Sequence, residues 1–206
     1  MSDLEVFGPF TLDTAPEEAL ESTLKEWLPT YLAFVSRRSN LSLPQPRSYV
    51  ISYDFDHLPE EQLPALQIIC PRIERPEADG QRIYRATFPL TVGVFIEARD
   101  RFSTDRLVKL YASAVRALVL HKGSLGGLAT ATTWIGTNYG SRTAARAQRT
   151  IGTAEVHFRT EVRQLVQRLV GPEITTTPNP VTEPGVEQPP LPRVSKTSLT
   201  EKPEPA

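Results

Sequence analysis

The residues able to do chemistry are few. The chain has three histidines, His57, His121 and His157, and one cysteine, Cys70. His57 lies in the acidic run DFDHLPEE, where Asp54, Asp56, His57, Glu60 and Glu61 offer the donor types that a divalent cation takes. Their spacing matches no recognised ligand pattern, and a solvated acidic loop is the favoured reading. His121 falls at the C-terminal end of a predicted helix, where partial positive charge is favourable. His157 falls on the outward face of a predicted strand. Neither has a nucleophile or carboxylate at a suggestive offset. The cluster Gly123-Ser124-Leu125-Gly126-Gly127 follows a helix, whereas a phosphate-binding loop precedes one, and no Lys-Ser or Lys-Thr ends it. It reads as a helix cap and connector. The sequence therefore predicts no enzyme, no cofactor and no resident metal.

Charged side chains suggest contacts instead. Residues 138–149, NYGSRTAARAQR, carry Arg142, Arg146 and Arg149 with no acid among them. The stretch is either a solvated loop or a patch for an acidic partner or a nucleic-acid backbone. It lacks the interleaved aromatics of a single-strand binding platform. Residues 71–85, PRIERPEADGQRIYR, read as a charged hairpin turning at Asp79-Gly80. Arg75, Glu77, Asp79, Arg82 and Arg85 would let that hairpin grip a neighbour. Phe95 interrupts an otherwise polar strand face and is a candidate apolar contact between subunits.

These residues need elements to hold them. Thr14 and Glu17 have capping-box spacing, and Pro16 suits a first helical turn. Leu20, Leu24, Trp27, Leu28, Tyr31 and Val35 follow at helical intervals, with Pro29 expected to kink or split the helix. Short strands are expected over 49–53 and 66–70. From Tyr84 the even positions Ala86, Phe88, Leu90, Val92, Val94 and Ile96 alternate with mostly polar odd ones, which predicts a strand with one buried face. Pro89 and Gly93 suggest an edge, a bulge or a bend in it. Ser103 or Thr104 is expected to cap a second helix, with Leu107, Leu110, Tyr111, Ala114, Val115, Leu118 and Val119 as its apolar stripe. Two last strands are expected over 130–135 and around Ala154, Val156, Phe158, Thr160 and Val162. The predicted fold class is α+β: a two-layer sandwich in which two helices cover a mostly antiparallel sheet.

Bulk properties agree with one such domain. The chain has 206 residues, 39% of them hydrophobic, and a formal net charge of −1, so no global bias toward DNA or membranes is expected. A lone cysteine and an N-terminus without an apolar core predict an intracellular chain lacking a signal peptide. No apolar run approaches the roughly 20 residues that cross a bilayer. Composition shifts at Gly171-Pro172 to proline, threonine and glutamate without aromatics. Residues 1–170 are therefore expected to form the domain, and residues 171–206 a disordered proline-rich tail. Its PPLP run suits an aromatic groove, although a solvated tail is the favoured reading.

The layout from Glu17 to Val170 resembles the tail terminator proteins of long-tailed bacteriophages, especially those of actinobacteria. The resemblance is carried in order by ALESTLKEWLPTYLAFV, LPALQIICP, DGQRIYRATFPLTVGVFIEARDR, STDRLVKLYASAVRALVLHKGSLGG, TTWIG and RTIGTAEVHFRTEV. It implies a structural virion protein assembled in the host cytoplasm. Such a protein forms a homo-oligomeric ring, usually a hexamer, that caps the tail tube and ends its polymerisation. The ring would join the head-side connector or head-closure protein, and phage DNA would pass through its lumen. Head-closure and other head–tail connector proteins are the nearest alternatives, with a tail tube subunit third. From other classes, a metal-dependent enzyme built on the loop at His57 and a DNA-binding module built on Arg142, Arg146 and Arg149 also stay open.

Overall fold

The structure is a computed structural model and describes residues 11–52, 60–78, 84–98, 100–143 and 150–163, all within a compact unit spanning Met1–Leu169. The predicted tail, 171–206, and the turn residues Asp79 and Arg82 lie outside the described residues. So do Arg146, Arg149 and the core of the acidic loop, Asp54, Asp56 and His57.

The first helix, α1, spans Ala15–Ser39. The expected capping box does not form: Thr14 makes no side-chain cap bond. The Glu17 carboxylate is turned inward instead and accepts the Cys70 N–H at 2.6 Å. Pro29 also does not divide the helix, which is continuous over 25 residues. Proline removes one backbone bond on an exposed face, while Leu20, Leu24, Leu28 and Leu32, all buried, run past it on the other and hold both halves to the sheet. The helix ends where Asn40 adopts a left-handed conformation, φ 56°, and returns its N–H to the Ser36 carbonyl.

The sheet has six strands: β1 Ser48–Ile51, β2 Ala65–Ile69, β3 Glu74–Ala78, β4 Tyr84–Glu97, β5 Ala129–Thr143 and β6 Thr150–Val162. Their order is β1-β2-β4-β6-β5, with β3 also on β4. The β1–β2 pair is parallel and every other pair antiparallel. One edge of β4 is filled by β6, and β2 and β3 share the other end to end. The Pro and Gly of β4 therefore mark no edge, since this is the central strand. Pro89 sits opposite Arg159, beyond the β2 register and short of the β3 register, where the β2/β3 side makes no ladder demand on it.

The second helix, α2, spans Arg101–His121 and is capped by Asp100, whose carboxylate accepts the Ser103 N–H at 2.9 Å and the Ser103 hydroxyl at 2.7 Å. Ser103 and Thr104 thus lie inside the helix rather than at its cap. Its buried face is Thr104, Val108, Tyr111, Ala112, Ala114, Val115, Leu118 and Val119, while Leu107 and Leu110 are only partly covered. That face packs, together with the leucines of α1, on the inward residues of β4 and β6. Ala86, Phe88, Leu90, Val92, Val94 and Ile96 are at most 2% exposed, and Ala154, Val156, Phe158 and Val162 join them. The approach of α2 to β6 is close: a Cβ on Gly152 would stand 2.5 Å from Val108 Cγ2 and 2.7 Å from Thr104 Cγ2. Only glycine fits there without displacement.

Two expectations change at the second half of the sheet. The strand expected over 130–135 runs on to Thr143, so residues 138–143 are ladder and not loop. An edge strand exposed over most of its length has no buried face, and so no apolar alternation to read. Ile135 is the extra residue of a bulge between Trp134 and Gly136.

Candidate interaction surfaces

The antiparallel pairing expected within residues 71–85 is present between β3 and β4, with the turn outside the described residues. Glu77 pairs with Arg85 and Ala78 with Tyr84 in antiparallel register, and Arg75 takes a left-handed φ of 49° within the bulge between Glu74 and Glu77. Its charges largely answer one another. Arg85 Nη2 lies 2.8 Å from Glu77 Oε2. Arg72 holds Glu74 through two guanidinium bonds at 2.8 and 2.6 Å, and Arg159 approaches the same carboxylate at 3.9 Å. The Arg72 hydrogen bond, helped by the surrounding guanidiniums, keeps the Glu74 carboxyl below its ordinary range.

Phe95 is not an exposed contact. It is 6% exposed and packs with Leu63, Ala65 and the half-buried Ile151 in a small cluster on the outward side of the sheet. All five residues of β2 are buried, so the outward face is covered at this point as well. The phenyl ring serves a second core. Of the three arginines of the basic stretch, Arg142 lies in β5 opposite Ile151, with the other two outside the described residues.

The surface that the sequence did not single out is the flank where α2 meets β5. Trp134 and Tyr139 point to the helix side of the sheet, since they sit opposite the inward residues Phe158 and Ala154. Both remain exposed, at 39% and 49%. A cation from α2 covers each ring: Arg116 lies 4.6 Å from the Trp134 centroid and Lys109 5.9 Å from that of Tyr139. Phe102, Leu120 and Ile135 are exposed nearby in sequence on the same two elements. A shallow groove lined by Arg101, Asp105, Lys109, Tyr139, Ser141 and Thr153 runs between helix and strand. The missed signal was divided between two elements. The aromatics stand in TTWIGTNY and the cations in RLVKLYASAVR, and only the fold interleaves them.

Several polar side chains outside this flank have defined partners. His157 bridges Thr91 Oγ1 at 3.0 Å and Asn138 Nδ2 at 3.1 Å on the outward face. His121 Nδ1 meets the Tyr31 hydroxyl at 2.9 Å, joining the two helices. Lys122 stacks on Trp27 at 3.7 Å. Burial, and then the Glu17 carboxylate, push the Cys70 thiol up to about 11, opposite to the direction that activates a cysteine nucleophile. Among the described residues, no three His, Cys, Asp or Glu side chains gather in the manner of a metal site.

No family model and no curated protein matches the chain. Among solved structures, it is similar to a chain from the virion of a native gene transfer agent particle. The TM-score is 0.43 at 13% identity, over 74% of this chain and 99% of that one.

Proposed function

We propose that this chain is a structural component of a phage-like particle, a tail terminator that assembles as a ring on the end of the tail tube. The observation that carries the reading is the ordered series of terminator-like segments, which fall in sequence on α1, β2, the β3–β4 hairpin, α2, β5 and β6. A protein whose work is geometry needs surfaces rather than reactive groups, and exposed Trp, Tyr and Arg together are the residue types that interfaces favour. In this reading the ring stops tube growth and offers its other face to the head-side connector, with DNA crossing the lumen. Arg142, Arg146 and Arg149 meet an acidic neighbour or face that DNA, and the β3–β4 hairpin, with Arg75, Glu77, Asp79, Arg82 and Arg85, reaches toward an adjacent component.

The test adds purified protein to polymerising tube subunits of its own particle and measures tube length by electron microscopy. Arrested tubes ending in an added ring are the expected result. Tubes that keep growing with bare tips would remove the terminator reading and leave the head-closure role.

A further inference from the structure

Resting on the ring reading above, we infer that the ring closes by sheet continuation: the β5 edge of one copy receives the β1 edge of the next. The first observation is that the two terminal strands of the sheet are open. Among the described residues β5 pairs only with β6, and β1 only with β2. Open ladder edges attract other strands. At 15 residues, β5 is long, and nine of its described positions are exposed.

The second observation is direction. From β1 through β2, β4 and β6 to β5 there is one parallel step followed by three antiparallel ones, so β1 and β5 run in opposite senses. A neighbour placed beside β5 by rotation about an axis near the strand direction therefore presents its β1 antiparallel to β5. Such a contact is head-to-tail, and repeated through a fixed rotation it closes into a ring.

The third observation is charge. On the β5 side, α2 carries Arg101, Lys109 and Arg116 against Asp105. On the β1 side, α1 lies over the strand, with Lys25 5.9 Å from the Tyr49 ring. Glu18 and Glu21 share that face at helical spacing, and the lysine answers only Glu21, at 2.9 Å. A two-fold pairing of β5 with β5 would set like charges together, whereas the head-to-tail pairing sets the basic helix of one copy beside the acidic helix of the next. The exposed Ile51 at the end of β1 gives the Trp134–Ile135 bulge an apolar counterpart.

Engineered cross-linking of the full chain tests this. In a Cys70→Ser background, Ile135→Cys and Ile51→Cys are introduced singly and together, and rings on tube ends are oxidised. The double variant is expected to give a ladder of covalent multimers ending at the ring's subunit number. Ile51→Cys alone should give no ladder. In parallel, Arg116→Glu should lower ring occupancy by roughly tenfold at an unchanged melting temperature. Rings visible by microscopy but yielding no ladder, with Arg116→Glu rings undiminished, would overturn the β5–β1 contact while leaving the ring itself standing. The absence of rings under any condition would overturn the ring reading, and this inference with it.

Discussion

The strands β4 and β5 are of nearly equal length, 14 and 15 residues, and lie one strand apart, yet they are built for different ends. On β4 the inward side chains from Ala86 to Ile96 are sealed under two helices, and much of the outward face is buried as well, including Gly93 and Phe95. On β5 even the inward-pointing Trp134 and Tyr139 reach solvent, each held beneath a cation rather than beneath a packed helix. The same secondary structure is thus sealed in the centre and open to solvent at the edge. The helix layer makes the difference, because α2 covers β4 and β6 but leaves the outer strand at its margin.

Mutations can break that comparison or sharpen it. Phe88→Ala should have the largest effect, about 3–5 kcal/mol of unfolding free energy by denaturant titration, because the ring is wholly buried on β4. On α2, Leu118→Ala should cost roughly 2–5 kcal/mol, and Leu110→Ala clearly less, since Leu118 is buried and Leu110 only partly so. Equal costs would mean the helix sits in a different rotation. Gly152→Ala should cost roughly 1–3 kcal/mol by forcing Val108 and Thr104 aside, and Val108→Ala in the same chain should recover part of the loss. Trp134→Ala should cost less than about 1 kcal/mol, in line with substitutions away from the core.

A smaller effect concerns pH. The folded Cys70 thiol holds its proton up to about 11, above its reference value of 9.0. A raised pKa means that the folded state binds the proton more tightly. Its contribution to stability is therefore complete below pH 9 and lost as the pH climbs toward 11. Unfolding curves across that window should show a decline for the native chain that Cys70→Ala lacks.

Regular burial was legible in the sequence, and its edges were not. The alternation from Ala86 to Ile96 predicted the central strand and its buried face, and the 154–162 alternation predicted β6, because each strand has one covered side. The α+β class followed from those faces and the two helical stripes. The cap of α2 was misplaced by a few residues because Ser103 and Thr104 are both plausible caps, and only the structure shows Asp100 holding the Ser103 N–H. Glu17 looked like a capping residue because its use by Cys70, 53 positions away, leaves no local trace. Phe95 looked exposed because alternation reports one face at a time, and the cover on the other face comes from Leu63 and Ile151. The α2–β5 flank was invisible for the same reason: its cations and aromatics belong to different elements.

The central claim is that the α2–β5 flank serves association and contributes little to folding. The most direct measurement compares the native chain with Arg116→Glu/Trp134→Ala/Tyr139→Ala in two assays, thermal unfolding and ring formation on tube ends by electron microscopy. The account predicts a melting temperature within a few degrees of native, as exposed sites allow, together with bare tube tips that continue to grow. A variant that melts far below the native chain, or one that caps tubes as well as the native protein does, would contradict it.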